Sequence, residues 1–215
     1  DIDYGYTAGS ITYSDYKSYI VEALKKKFGN NVVAVGNKSI DIKSNSYHVN
    51  ADVVPTFQYR DFKIISSTDP IKYVEGVKYV AKDGTEVINY PKDHIINGKQ
   101  KNNNTNYKYK KLVRIMKHIR DDMVDDGKTD GDKITSFLIE CLVWNVPNDT
   151  ITGSNTWTGT VQNAIGHLWN AIKDDKHKEW REVSERLYLF HSARKWTAEE
   201  TKNFLYNMYN YLEFK

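Results

Sequence analysis

The fold of this chain is decided by one stretch of nine residues, Tyr47-His48-Val49-Asn50-Ala51-Asp52-Val53-Val54-Pro55. Apolar β-branched residues are frequent in the stretch and a proline ends it, which is typical of a β-strand. Successive side chains of a strand point to opposite faces, so Asp52 lies on the face opposite to Ala51 and Val53. A carboxylate is costly to bury unpaired. Asp52 is therefore either a structural residue that is bonded to a neighbouring loop or a residue that binds a cation.

The residues on either side of this strand predict a mixed α+β fold. Capping-box spacing at Thr12 and apolar residues at every third or fourth position predict an amphipathic helix over residues 14–28, which Gly29 ends as a left-handed cap. Residues 32–35 and 38–42 predict two short strands. Further along, Asp83-Gly84 lies between two strand-like runs, residues 74–80 and 86–90, and predicts a hairpin.

The second half of the chain is predicted to be helical. Apolar residues recur at helical spacing within five segments, residues 109–123, 134–145, 161–172, 180–190 and 198–212. The segment over 134–145 is apolar on nearly all sides, which predicts a buried helix that begins at Thr135 or Ser136. Residues 97–106 are rich in Asn and Lys and predict a loop. We therefore predict an α+β domain over residues 1–105 and a helical bundle domain over residues 106–215.

Composition limits the class of protein. The chain has 215 residues, of which 40% are hydrophobic, and this is enough for packed cores. No apolar run approaches the length of a membrane span, so a cytoplasmic protein without a membrane partner is expected. The single cysteine, Cys141, has no partner for an internal disulfide and lies in an apolar segment, which predicts a buried thiol in a reducing compartment.

A strongly basic segment lies between Lys92 and Arg120. It contains nine Lys or Arg residues and one acidic residue, Asp93, whereas the whole chain has a net charge of only +3. Such a segment is either a solvated helix face or a binding site for phosphate groups, in a nucleoside triphosphate or a nucleic acid. The six histidines are scattered, and no spacing of His, Cys, Asp or Glu indicates a zinc site.

Several blocks of the sequence resemble, in the same order, one family of enzymes. They are the Asp52 block over residues 50–60, then residues 87–94, Asn97-Gly98, and residues 113–117, 136–142 and 145–148. Together they resemble the cyclic-oligonucleotide synthases, bacterial nucleotidyltransferases related to cyclic GMP-AMP synthase and oligoadenylate synthase. The resemblance extends from about Tyr13 to the C-terminus. It implies a sheet of the nucleotidyltransferase (polymerase-beta-like) type with a C-terminal helical domain like that of oligoadenylate synthase.

Two parts of the family pattern differ in this chain. The family has a Gly-Ser phosphate-binding turn and an Asp-x-Asp pair that runs directly into a hydrophobic strand. Asp1 and Asp3 have the spacing of that pair, but residues 4–10 predict a loop, and Gly9-Ser10 follows the pair instead of preceding it. We interpret Asp1 and Asp3 as part of a linker, and the chain as an N-terminally truncated enzyme that lacks the full active site and has no synthase activity alone.

The resemblance also implies a role for five residues. Asp52 is the third catalytic carboxylate and a ligand of Mg²⁺ (or Mn²⁺). Arg114 and Lys117, one helical turn apart, stand where the family binds the triphosphate, although the family more often has Lys at the first of these positions. Ser136 matches a serine that contacts the triphosphate, and Phe137 matches a residue that stacks on the donor base. The competing interpretations are a solvated face for the two cations, a helix N-cap for the serine and a core position for the phenylalanine.

The function implied by the resemblance is a transferase reaction on nucleoside triphosphates such as ATP and GTP. Its product is a cyclic di- or oligonucleotide second messenger, made in antiviral defence, with regulatory proteins of a defence operon as further partners. The nucleotide pocket is expected to border a cleft that also contains the Asp52 carboxylate. The alternative is a non-catalytic module of the same fold class that binds a nucleotide or a nucleic acid. An upstream Gly-Ser turn and Asp-x-Asp pair in the gene would favour the enzyme over the module.

Overall fold

The computed structural model describes residues 9–63, 72–192 and 194–214. Its first element is helix α1, Tyr13–Phe28, which confirms the predicted helix. The Thr12 hydroxyl caps the helix by accepting a hydrogen bond from the backbone N–H of Asp15 at 3.1 Å. Gly29 ends the helix with a positive φ of 99°, as a left-handed glycine cap requires, but its ψ of 151° lies outside the αL region. Asp1 and Asp3 lie outside the described residues.

The first sheet has three short antiparallel strands in the order β1 (Val33–Val35), β2 (Ile40–Ile42) and β3 (Ala51–Val53). Its buried side chains are those of Val33, Ile40 and Ile42. The third strand is shorter than the predicted one, because the residues before it form a turn. In that turn the Asn45 side chain accepts hydrogen bonds from the backbone N–H groups of Tyr47 at 2.8 Å and His48 at 3.2 Å.

The second sheet is also antiparallel, in the order β4 (Phe57–Lys63), β5 (Lys72–Val80) and β6 (Glu86–Asn89). β5 and β6 form the predicted hairpin, and Gly84 in its turn has a φ of 84°. The sequence does not predict β4, because the apolar pattern weakens after Tyr59. Gly76 of β5 is packed closely: a Cβ there would lie 2.9 Å from the Asn89 carbonyl oxygen and 3.1 Å from the Tyr90 ring.

The remaining elements are helical. They are α2 (Pro91–Asn104), α3 (Lys108–Asp125), α4 (Ser136–Trp144), α5 (Asn148–Thr152), α6 (Trp157–Lys173), a 3₁₀ turn (Lys176–Glu179) and α7 (Ala198–Tyr211). Their buried side chains form one apolar core, to which α3, α4, α6 and α7 all contribute. These four helices confirm four predicted segments, and the Cys141 thiol is buried in α4 as predicted.

The prediction of a loop over residues 97–106 is wrong for most of its length, because α2 continues to Asn104. Asparagine has a low intrinsic helix propensity, but tertiary contacts hold the polar residues of this segment in the helix. The Asn97 side-chain amide donates to the Val183 carbonyl oxygen at 2.8 Å, and the Lys101 ammonium donates to the Val146 carbonyl oxygen at 2.8 Å. Both acceptors are distant in sequence, so these hydrogen bonds cannot be predicted from the helix propensity of the segment.

The predicted helix over residues 180–190 is also wrong. An isolated β-bridge joins Arg181 to Tyr188, and Glu185 has a positive φ of 59°, which is incompatible with a right-handed helix. The Asn145 side chain binds both backbone groups of Arg181, donating to its carbonyl oxygen at 2.8 Å and accepting from its N–H at 3.3 Å. These bonds occupy the backbone groups that a helix would use for its own hydrogen bonds.

Backbone contacts divide the chain into two compact units, Asp1–Pro91 and Lys92–Lys215. The boundary predicted from the sequence, after residue 105, falls between α2 and α3. Two antiparallel sheets with α1 in the first unit, and helices in the second, confirm the predicted α+β class. Among the described residues, no helix combines the length and the apolar character that crossing a bilayer requires.

We predict opposite effects of adding one methyl group at two glycines. Gly76→Ala should lower the unfolding temperature, because the new Cβ would lie 2.9 Å from a backbone oxygen of the next strand. Gly166→Ala, within α6, should raise it by roughly 2–4 °C, because alanine favours a helix by about 1 kcal/mol over glycine. No atom of a described residue beyond its own stretch of helix lies within 4 Å of that Cβ. Calorimetry of the whole chain measures both variants, and shifts of the same sign would contradict this account.

Candidate functional site

Asp52 lies in the middle of β3, directly opposite Asp41 of β2 in the antiparallel register. Its side chain is exposed, and within the described residues its carboxylate has no hydrogen bond or ion pair. Residues of like charge that are directly opposed repel each other, because their Cβ atoms are about 5 Å apart. The structural interpretation of Asp52 needs a bonded loop, which the described part of the chain does not provide. A bound cation would remove the repulsion between the two carboxylates.

The two carboxylates fit part of a metal site. Carboxylate oxygens are the ligands that Mg²⁺ prefers, and Asp52 presents such oxygens to solvent. Asp41 also accepts a hydrogen bond from the Ser39 hydroxyl at 2.6 Å, which orients its carboxylate. No group of three or more His, Cys, Asp or Glu side chains in the described ranges is arranged to hold a metal ion. Sequence analysis missed Asp41, although the polar-apolar alternation over residues 38–42 placed it in a strand.

The N-terminus of α4 carries Ser136, which the sequence assigns to the triphosphate. The N-cap of this helix is Thr135, whose hydroxyl accepts a hydrogen bond from the Leu138 N–H at 3.2 Å. Ser136 is therefore not needed as the cap. Its side chain is exposed, and its hydroxyl has no hydrogen bond with another described residue. A free hydroxyl beside the unpaired N–H groups of a helix N-terminus is an arrangement that binds anions.

Phe137 lies between the core and the surface. The ring is half-buried and packs against the helical core. His94 stacks on it with ring centroids 6.0 Å apart and an interplanar angle of 27°, and Trp196 lies 6.2 Å away at 40°. The Arg194 guanidinium lies 5.3 Å from the Phe137 ring centroid, in cation–π geometry. The Phe137 ring is thus not sealed inside the bundle. Its neighbours, an imidazole, an indole and a guanidinium, are all planar groups.

The two cations that the sequence assigns to the triphosphate differ in their surroundings. Arg114 is exposed on α3, and its guanidinium has no ion pair or hydrogen bond among the described residues. Lys117, one turn further along the same helix, is half-buried and donates to Oε2 of Glu140 at 3.0 Å. The other oxygen of that carboxylate, Oε1, lies 3.1 Å from Nε2 of His94.

The Glu140 carboxylate was missed by sequence analysis. The hydrogen bond with His94 is the main cause that lowers the pKa of Glu140 to about 2, and Lys117 adds to it, against the opposing effect of burial. The group is therefore ionised at any pH near neutrality. Its position four residues after Ser136 and three after Phe137 was the available signal, since side chains at these spacings share one flank of a helix.

The basic segment between residues 92 and 120 is not a uniform charged face. Three of its cations donate to backbone carbonyl oxygens: Lys101 to Val146 at 2.8 Å, Lys108 to Ser154 at 2.8 Å and Arg120 to Ile134 at 2.6 Å. Burial lowers the pKa of Lys101 to about 8. These three residues connect separate segments of the helical unit. Exposed positive charge remains at Lys99, Lys110, Lys111 and Arg114.

Comparison with known proteins identifies the helical part. Residues 96–213 match the family model described as the cGAS/DncV-like nucleotidyltransferase C-terminal helical domain. The cyclic dipyrimidine nucleotide synthase CdnE of Cecembia lonarensis is 44% identical over 213 residues, which are 99% of this chain and 70% of that protein. The cyclic GMP-AMP synthase CdnE03 of Staphylococcus schleiferi is 38% identical over 199 residues, which are 93% of this chain and 60% of that protein.

Two solved structures extend the likeness to the first unit. The CdnE cyclic dinucleotide synthase of Elizabethkingia meningoseptica, solved with GTP and Apcpp, has a TM-score of 0.85 and 32% identity, over 96% of this chain and 73% of its own. The CdnE c-UMP-AMP synthase of Rhodothermus marinus, solved with Apcpp and Upnpp, has a TM-score of 0.82 and 28% identity, over 98% and 70%. The chain thus spans only part of each relative. The resemblance and the predicted fold class are confirmed, and the chain belongs to the cGAS/DncV-like nucleotidyltransferases, the family that contains the cyclic-nucleotide synthases.

Proposed function

We propose that this chain takes part in making a cyclic di- or oligonucleotide from nucleoside triphosphates, and that Asp52, Arg114, Lys117, Ser136 and Phe137 serve this reaction. The observation that carries the proposal is the Ser136 hydroxyl at the N-terminus of α4, which has no hydrogen bond with another described residue and is not needed as the cap, because Thr135 provides it. A hydroxyl and a helix N-terminus without an internal partner are suited to a phosphate group. The relatives' activity as cyclic-nucleotide synthases supports the same assignment.

The triphosphate would be held by the helical unit. Arg114 offers a guanidinium without a partner among the described residues, and this planar group can donate two parallel hydrogen bonds to one phosphate. Lys117 keeps donors for a phosphate oxygen, because its ammonium has three N–H groups and Glu140 accepts from one of them. Ser136 would add its hydroxyl and the dipole of α4.

The base would be held by stacking. Phe137 follows Ser136 directly, so a residue that meets the phosphates and a flat ring are joined by one peptide bond. Stacking of a base on an aromatic side chain contributes about 1–3 kcal/mol and tolerates different bases. The relatives join different bases, since their names specify pyrimidines in one case and guanine with adenine in another. The proposal is accordingly for nucleoside triphosphates as a class, with ATP and GTP among them.

Asp52 would be one ligand of Mg²⁺ or Mn²⁺, with Asp41 beside it in the register. The chemistry that a bound divalent ion would supply there is activation of the attacking hydroxyl and stabilisation of charge on the transferring phosphate. The role of Asp52 would be to hold a negative charge at a fixed place. Because the residue lies on a strand, its carboxylate would not need to reorganise during the reaction. We place the reaction in the cytoplasm, where nucleoside triphosphates are available, and propose antiviral defence signalling as its purpose.

Asp52→Asn should reduce turnover by about 100-fold or more, because it removes the charge of a metal ligand and keeps the shape of the side chain. The measurement is cyclic product formed by the native gene product from mixed nucleoside triphosphates and Mg²⁺. Circular dichroism should be unchanged. Glu22→Gln, which neutralises an exposed carboxylate on α1, is the matched control and should leave turnover unchanged. Full activity of Asp52→Asn with the same metal dependence would show that the residue is structural. Nucleotide binding without any turnover in the wild type would favour the non-catalytic module.

Arg114→Ala should weaken binding of a non-hydrolysable ATP analogue by roughly tenfold, because a charge-assisted hydrogen bond contributes about 1.5–3 kcal/mol. Calorimetric titration of the native gene product measures this. Lys128→Ala is the matched control, since it removes the same charge from an exposed position beyond the C-terminal end of α3, which lies about three helical turns after Arg114. Equal losses in the two variants would mean that binding responds only to net charge, and would remove Arg114 from the proposed site.

A further inference from the structure

Glu140 joins three helices at the proposed nucleotide site. It lies on α4 and contacts Nε2 of His94 on α2 at 3.1 Å and Nζ of Lys117 on α3 at 3.0 Å, each through a different carboxylate oxygen. Its side chain is 28% exposed, so the cluster lies near the surface. The spacing from Ser136 and Phe137 puts all three residues on the same flank of α4.

Each partner of Glu140 leads to a different part of the proposed pocket. Lys117 is one of the two cations assigned to the triphosphate. His94 stacks on Phe137, the ring assigned to the base, at a centroid distance of 6.0 Å. The carboxylate therefore contacts a member of the phosphate subsite and, through one intervening ring, supports the base subsite.

A carboxylate at this place opposes the binding of a triphosphate. It carries a full negative charge near a site for a polyanion, and like charges repel each other across such distances. Orientation can offset that cost. A lysine side chain has many rotamers, and a lysine that is already held in one of them loses less entropy when a phosphate binds.

We propose that Glu140 is a positioning residue of the nucleotide site, which holds Lys117 directly and Phe137 through the His94 ring. The inference rests on the proposed function, since that assigns the two subsites. The inference adds to the proposed site a residue that does not itself contact the nucleotide.

The direction in which one substitution changes nucleotide affinity distinguishes a positioning role of Glu140 from an effect of its charge alone. Glu140→Gln keeps the size of the side chain and removes its negative charge. If the carboxylate acted only by its charge, the variant would bind an ATP analogue more tightly. Positioning requires the opposite result, a loss of about three- to tenfold, because a neutral amide holds the Lys117 ammonium less firmly than a carboxylate does. Glu199→Gln, which removes an exposed carboxylate on α7, is the matched control and should bind the analogue as the wild type does.

A second pair of variants tests the route through Lys117. In a Lys117→Met background, Glu140→Gln should cause a smaller loss of affinity than it does in the wild type, because one of the two groups held by the carboxylate is gone. Equal losses in the two backgrounds would overturn the role of Glu140 in positioning Lys117. Glu140→Asp keeps the charge and shortens the side chain by one methylene group. It should also weaken binding, and unchanged affinity would show that position is unimportant.

The wild type and Arg114→Ala are titrated beside these variants, and every protein is the native gene product. The unfolding temperature of each variant shows whether it is folded. If Arg114→Ala weakens binding and Glu140→Gln does not, the positioning role is wrong and the proposed function stands. If Arg114→Ala binds like the wild type, Arg114 is removed from the phosphate subsite, and if neither variant changes the affinity, both proposals fall. If Glu140→Gln does not fold, Glu140→Asp decides between position and charge.

Discussion

The enclosure of α4 is the constraint on which the helical unit depends. Its residues without exposed surface are Leu138, Ile139, Cys141, Leu142 and Val143. Burial of one large aliphatic side chain contributes about 1.5–3 kcal/mol relative to exposure, so a helix that is apolar on most of its circumference must be surrounded. Side chains of α3, α6 and α7 share its core. The flank that remains carries Ser136, Phe137, Glu140 and Trp144, and the enclosure thereby selects the residues of α4 that can meet a ligand.

The cations of the helical unit differ in whether the fold itself uses them. Lys101, Lys108 and Arg120 each donate to a backbone carbonyl oxygen of another segment of the unit. The fold therefore uses these three cations, although the sequence counts them in the same basic segment. Arg114 has no described partner, and Lys117 is bound to a carboxylate and keeps two donors. The proposed phosphate site would therefore depend less on total charge than on the few donors without a partner among the described residues.

The two wrong predictions have a common physical cause. Residues 97–104 are helical despite their asparagines, and residues 180–190 are not helical despite their apolar spacing. In both places a side chain binds the backbone of a segment that is distant in sequence: Asn97 binds Val183, and Asn145 binds Arg181. Propensity and periodicity describe interactions within a few residues, so bonds of this range override them without leaving a local signal.

By itself, the sequence determined the helices α1, α3, α4, α6 and α7, the hairpin of β5 and β6, and the family, because spacing, capping residues and turn residues act over a few positions. It also singled out Arg114, Lys117, Ser136 and Phe137 as candidates, by resemblance. Only the tertiary structure decided which of these groups are free, that Asp41 lies opposite Asp52, and that one carboxylate joins partners 23 and 46 positions away. Those contacts arise when the buried faces of separate elements pack together, and packing fixes the partners of the polar residues that lie beside those faces.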